Sequence, residues 1–241
     1  METTANGWVV IDRAARVLTS AYVFDGKTST ANAFVAPLAD GKLMVISPPF
    51  RASEGLFRDL EGFGEIGAVV ANNGFHHLGQ PEWKARYPSA RFFAPTDAFA
   101  RIRKHNPKAP NYEPLAALKP LLGPEVGVTE ASSTKCGESW AWAKIDGGFA
   151  WFVSDMLANM EGLPGNFVLR QLFKWSGSAP GFKPFNLGMK FILKDKRAVL
   201  RALSRDMVAH PPTVIIPSHG TVLTRDGLAS ETQRLLAEAI E

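Results

Sequence analysis

The stretch from Ile66 to Gly79, Ile-Gly-Ala-Val-Val-Ala-Asn-Asn-Gly-Phe-His-His-Leu-Gly, restricts the fold of this chain more than any other. Ile66 to Ala71 is apolar throughout and reads as a short buried strand. A polar loop follows, and Pro81 marks the start of a helix, because proline fits the first helical turn. A buried strand leaving through a polar loop into a helix is a unit of an α/β layer, and chemistry in such units sits on the loop. His76 and His77 stand side by side there. Neighbouring side chains on a strand point to opposite faces, so both can serve one centre only if the backbone turns between them.

The rest of the chain supplies partners for this unit. Trp8 to Ile11, Ala21 to Phe24, Ala33 to Ala36 and Lys42 to Ile46 read as strands of an antiparallel sheet, with Asp40-Gly41 as a hairpin turn. Ser53 is placed to cap a helix carrying Leu56, Phe57, Leu60 and Phe63. Beyond the double histidine, the spacing predicts a short helix to Arg86, a strand over Arg91 to Ala94, and a helix capped by Thr96 that runs to His105. Residues 106–124 are proline-rich and are expected on the surface. A second sheet is implied by Val126 to Thr129, Trp140 to Ile145 and Phe149 to Val153, with Asp146-Gly147 as a turn. Residues 160–193 lack a period but are rich in aromatics, which suggests an insertion covering a site. A helix capped by Asp195, a strand over Val214 to Ile216 and a helix over Leu228 to Ile240 complete the order. Helix and sheet layers in this order give an α/β fold of four layers, an αββα sandwich, with residues 1–241 as one domain.

Composition narrows the class. Hydrophobic residues make up 46%, enough for a large core. No apolar run approaches the ~18 residues of a membrane span, and Met1 to Trp8 lacks the segments of a signal peptide, so a cytoplasmic protein with no membrane partner is expected. The single cysteine, Cys136, forms no internal disulfide and reads as a small buried side chain. A net charge of +4 is spread over helix-period segments, Lys84 to Lys108 and Lys183 to Arg205, as on solvated faces. That pattern argues against nucleic acid and leaves a small molecule as the expected partner.

Three landmarks occur in a telling order: the loop Asn72-Asn73-Gly74-Phe75-His76-His77, the strand Ala150-Trp-Phe-Val-Ser-Asp155, and the strand Val214-Ile-Ile-Pro-Ser-His219-Gly220. Together they resemble the metallo-β-lactamase superfamily, whose signature is His-x-His-x-Asp-His-x-Gly. The signature falls on Asn72, Gly74, His76 and His77, so one histidine is kept and a histidine replaces the aspartate. The resemblance implies a metal-dependent hydrolase. It places His76, His77, Asp155 and His219 at one metal centre, while Asn72, Gly74 and the histidine-free Thr134 to Ser139 leave the other without ligands. One divalent cation at most is expected, zinc first, then iron or manganese, with a metal-free protein as the alternative. His76 is the weakest ligand, being longer than the carboxylate it replaces. The family's usual Asp-x-Gly support for the metal loop is replaced by Ser47-Pro48-Pro49. Asn72, Asn73 and Trp175 are the candidate substrate contacts, and Asp155 is the one carboxylate expected nearby.

Taken singly, the same residues have plainer readings. His77 and His219 fit buried histidines bonded to backbone carbonyls, and Asp155 fits a loop cap. A non-catalytic small-molecule binder on the same scaffold therefore stays open beside the hydrolase. His105 and His210, at predicted helix C-termini, are assigned no chemistry.

Overall fold

The structure is a computed structural model that describes residues 1–25, 29–163 and 166–241; positions 164 and 165 of the expected insertion lie outside the described residues. The chain begins with β1 (Glu2–Thr3), β2 (Val9–Asp12), β3 (Val17–Val23), β4 (Thr30–Pro37) and β5 (Leu43–Ile46), all antiparallel. It continues through α1 (Glu54–Glu61), β6 (Ile66–Val70), α2 (Gln80–Arg86), β7 (Arg91–Ala94), α3 (Phe99–His105) and β8 (Glu113–Pro114). From β5 onward the pairing is parallel, so the two layers read separately in the sequence are one eight-stranded sheet.

Next come β9 (Val126–Glu130), β10 (Ser139–Ile145), β11 (Gly148–Ser154), β12 (Leu157–Met160), α4 (Phe167–Trp175), β13 (Gly181–Pro184) and α5 (Asn186–Ile192). The chain closes with α6 (Lys196–Ala209), β14 (Pro212–Pro217), β15 (Leu223–Thr224) and α7 (Leu228–Ile240). A second sheet has the order β15-β14-β11-β10-β9, and β12 pairs with β13 apart from it.

Alternation along the strands assigns the layers. Met44 and Ile46 of β5 join Ala150 and Phe152 of β11 and Val214 and Ile216 of β14 in the core between the sheets. Leu43 and Val45 face the other way, onto Leu56, Phe57 and Leu60 of α1 and Trp83 of α2. Trp151, Val153 and Ile215 face Val199 and Leu203 of α6 and Leu236 of α7. Helices thus cover the outer face of each sheet. Each fully buried large side chain contributes about 1.5–3 kcal/mol by area, which fixes the ends of the central strands where the polar residues begin.

Most of the local signals in the sequence match the structure. Ser53 Oγ accepts from Leu56 N (3.1 Å) and Asp195 Oδ1 from Ala198 N (3.0 Å), as caps do. Gly41 and Gly147 hold positive φ in the two turns. Thr96 does not cap: it lies inside a 3-10 turn, Thr96–Ala98, entered from Pro95, and its N–H donates to Glu130 Oε1 (3.0 Å). The proline-rich 106–124 supplies β8 and a 3-10 segment whose Leu115 and Leu118 are buried between the sheets. The aperiodic 160–193 holds two short helices and β13, whose lengths are too small to show a period.

Candidate metal centre

The functional candidates lie just beyond the C-terminal ends of parallel strands. Asp155 follows β11, turned out by Ser154 at φ +51°, and Ser47 follows β5 at φ +53°. His219 follows β14. Asn32 of β4 clamps that loop, its amide donating to the carbonyls of Pro217 and Gly220 (both 2.8 Å). Gly220, at φ +100°, lies so close to the Asn159 carbonyl that no Cβ would fit.

Three side chains converge. His76 Nε2 is 3.4 Å from Asp155 Oδ2 and His219 Nε2 is 3.3 Å from Asp155 Oδ1. Each ring is held from behind: His76 Nδ1 meets Ser47 Oγ at 2.9 Å, which meets the Tyr22 hydroxyl at 2.9 Å, and His219 Nδ1 meets the Thr30 carbonyl at 2.8 Å. A carbonyl only accepts, so Nδ1 of His219 carries the proton. In the neutral ring, the Nε2 lone pair then faces a carboxylate oxygen, an arrangement that needs a proton or a cation between them. Asp155 Oδ2 also accepts from Asn73 Nδ2 (2.8 Å), whereas Oδ1 is buried without a hydrogen bond.

This donor set fits one cation. The ligand atoms of His76, Asp155 and His219 lie within 4.8 Å of one another. Metal–ligand bonds of about 2.0–2.2 Å put neighbouring corners of a tetrahedron about 3.4 Å apart, and each imidazole stands at about that spacing from its own oxygen of Asp155. Imidazoles oriented through Nδ1 by backbone or hydroxyl partners are the usual outer support of such ligands. Burial pushes the Asp155 carboxyl up, but the charges and close contacts of His76 and His219 outweigh it and hold it well below the carboxylate range. Burial lowers His219, and its close contact with the Asp155 carboxylate reverses this to a net rise.

His77 stays outside the cluster. Its buried Nδ1 has no hydrogen-bond partner among the described residues, and burial first, then the charges of His105, His76 and Arg101, push it down to about 4. The selection between the two histidines is made by Asn73, whose Oδ1 accepts from the N–H of Phe75 (2.8 Å) and of His76 (3.3 Å) and so turns the loop. Asn72 and Asn73 are fully buried and engaged internally, Asn72 donating to Ser154 Oγ (2.6 Å). Trp175 is 83% exposed on α4 and does not line the cavity over the cluster.

Asp155 is not the only carboxylate nearby. Glu138, fully buried, accepts from Ser139 N (2.8 Å), from Asn73 Nδ2 (3.3 Å) and, in a very short contact, from Ser154 Oγ. Burial, then the charge of Asp155, push it well above the usual carboxylate range. Ser47, Tyr22 and Glu138 had no spacing signal. Ser47 could have been found, since it occupies the strand end where the resemblance expects support for the metal loop.

The cluster forms the floor of a cavity of about 280 Å³. Phe24, Phe75, Leu78, Phe185, Phe191 and Ile192 wall it, and Tyr22 lies beside the floor. Burial keeps the Tyr22 phenol neutral, well above its ordinary range.

No protein-family model matches the chain, and no curated protein matches it in sequence. Solved structures do match in shape. The DIM-1 metallo-β-lactamase exposed to ceftazidime superposes with a TM-score of 0.57 at 15% identity, covering 99% of this chain and 100% of that one. The FIM-1 metallo-β-lactamase from Pseudomonas aeruginosa in its mono-zinc form gives 0.55 at 13%, covering 100% and 98%. A diflavin flavoprotein A 5 fragment from Nostoc sp. PCC 7120 gives 0.58 at 13%, covering 98% and 96%. Identities this low speak to shape alone, and on that ground the chain has the metallo-β-lactamase fold.

Proposed function

We propose that this protein is a metal-dependent hydrolase of small molecules, with a single divalent cation, zinc by preference, held by His76, Asp155 and His219. The observation that carries the reading is the convergence of two Nε2 atoms on the buried Asp155 carboxylate, His76 on Oδ2 and His219 on Oδ1, the latter oxygen having no hydrogen bond of its own. When bound, such an ion supplies Lewis acidity toward a carbonyl, phosphoryl or water oxygen. The chain's own residues do the rest. Ser47 and the Thr30 carbonyl fix the imidazoles, Asp155 balances the charge, and the aromatic walls exclude water from the floor. The aromatic and aliphatic walls suit an apolar substrate body, and no lysine or arginine among the described lining residues is there to pair an anionic one.

A second centre does not fit. Asn72 is turned into the Ser154 contact, and a Cβ at Gly74 would lie 2.8 Å from Arg101 Cδ and 2.9 Å from the Cys136 carbonyl. A non-catalytic binder is the second reading, favoured because Asp155 is the sole carboxylate lining the cavity among the described residues, which leaves no separate base. Protein purified without chelator should carry, or take up on titration, about one equivalent of zinc, iron or manganese. Less than about a tenth of an equivalent, with no heat on titration, would sink the metal reading. Ligands found by thermal shift and recovered unchanged after long incubation with the loaded protein would decide for a binder.

A further inference from the structure

The aromatic stretch over the cavity has a face that no part of the described chain covers. None of the side chains of α4 is buried: Phe167 is 70% exposed, Val168 64% and Trp175 83%, and Leu169 and Leu172 are exposed beside them. On a helical wheel Val168, Leu172 and Trp175 share one side, while Arg170 and Lys174 lie away from it and Gln171 flanks Trp175. Phe173, on the inner side, packs its ring 5.9 Å from Phe185, which walls the cavity. At the cavity mouth Phe191, Phe75 and Leu78 are also exposed. These side chains form an apolar rim around the entrance, continued outward by α4.

Charge identifies what the rim fits. Between Glu161 and Asp195 the charged residues are Arg170, Lys174, Lys183, Lys190 and Lys194, with no carboxylate among them. A hollow beside the mouth, lined by Phe75, Arg101, Lys135, Cys136 and Phe191, adds two cations: Arg101 lies over the Phe75 ring at 3.8 Å, and Lys135 Nζ donates to the Lys190 carbonyl at 2.7 Å. Tryptophan, phenylalanine and leucine on one face with lysine and arginine around them is the composition of a helix lying in a lipid interface. A second copy of the same patch suits it poorly, since a two-fold contact would set Lys174, Lys190 and Lys194 against their own copies.

We propose that the exposed face of α4, with Phe191, Phe75 and Leu78, docks on an anionic lipid surface, so that the cavity opens toward the bilayer. Peripheral docking needs no spanning helix, and none is present among the described residues. The inference is independent of the metal, which the test uses. In flotation with phosphatidylcholine vesicles, the protein should rise with vesicles containing phosphatidylserine, stay behind with phosphatidylcholine alone, and be released by high salt. Leu172→Ser with Trp175→Ser should weaken binding at least about tenfold, and Lys174→Glu with Lys190→Glu should abolish the preference for phosphatidylserine. Since α4 buries no side chain and Lys190 of α5 is exposed, both pairs should melt with the parent, and Asp155→Asn should float as the parent does. No flotation with phosphatidylserine vesicles at low salt would overturn the proposal. So would a dimer in sedimentation that the Leu172→Ser and Trp175→Ser pair converts to monomer.

Discussion

The two sides of the loop between β6 and α2 differ in what their polar groups are for. On the His76 side, two imidazoles and Asp155 direct atoms toward a cavity, and the buried Asp155 Oδ1 is left without a hydrogen bond. On the Asn72 side, most polar atoms are spent internally, although Asn72 Oδ1 has no hydrogen-bond partner among the described residues. Asn72 donates to Ser154, Ser139 Oγ to the Asn72 carbonyl (3.0 Å), Gly74 N to the Cys136 carbonyl (2.9 Å), and Glu138 gathers the remaining donors. The missing histidines have therefore not left a hole. Their side has become close-packed polar core, while the other keeps open valences. Most buried polar groups are satisfied within the chain, as on the Asn72 side, and a group that faces a cavity can be completed by a ligand, as on the His76 side.

Two buried carboxylates give the sharpest way to break this contrast. Asp155→Asn keeps shape and removes charge, and should lower metal affinity more than about a hundredfold, beyond the 10–100-fold typical of outer supports. Glu138→Gln should change it less than about tenfold, because burial and the charge of Asp155 already favour the neutral form there. Calorimetric titration of both variants with zinc checks this. Equal losses would mean that Glu138 belongs to the centre and that the two sides are not distinct.

Legibility from sequence followed the same line. Asp155 and His219 could be found because each ends an apolar strand, which both fixes its place in the fold and makes a polar residue there conspicuous. The expectation that His76 is the weakest ligand is reversed, since the structure brings His76 and not His77 to Asp155; adjacency says nothing about which ring turns inward. Asn73 decides that through two hydrogen bonds to the loop backbone. Glu138 stayed hidden for a similar reason: in the sequence it is one glutamate before a strand, and only the packing of β10 against β11 brings it to Ser154. The layers were legible because β5, β11 and β14 are near-continuous apolar runs, as strands covered on both faces are. The fusion of two predicted layers into one sheet was not, since β5 pairs with β6 across a helix whose length carries no register information.

Gly74 gives a smaller effect on the closed side. Gly74→Ala should destabilise by about 1–3 kcal/mol through overpacking against Arg101 and the Cys136 carbonyl. Denaturant titration measures this, and metal stoichiometry should not change. Asn72→His with Gly74→His should likewise bind no second equivalent. Two equivalents in that double variant would show that the closed side is only waiting for ligands.

Cys136 gives the smallest effect and tests whether the closed side is dry. Burial first, then the charge of Glu138, push its thiol up to about 11 from 9.0, against the opposing charges of Arg101 and Lys135. Near pH 8 the thiolate fraction in the native state is then about a hundredfold below that of the unfolded chain. Alkylation by iodoacetamide should be slower in native buffer by about that factor, relative to the protein in urea. The linkage has a definite sign. Above pH 9 the unfolded chain releases this proton while the folded chain keeps it, so the contribution to stability is complete below 9 and is lost as pH rises toward 11. The rise from 9.0 to about 11 makes its size on the order of 2 kcal/mol. Cys136→Ala should flatten the alkaline limb of the stability curve by that amount. Fast alkylation near neutrality, with no change in that limb, would mean that water and ions reach the Gly74 side, and the contrast between a closed and an open side of the loop would fail.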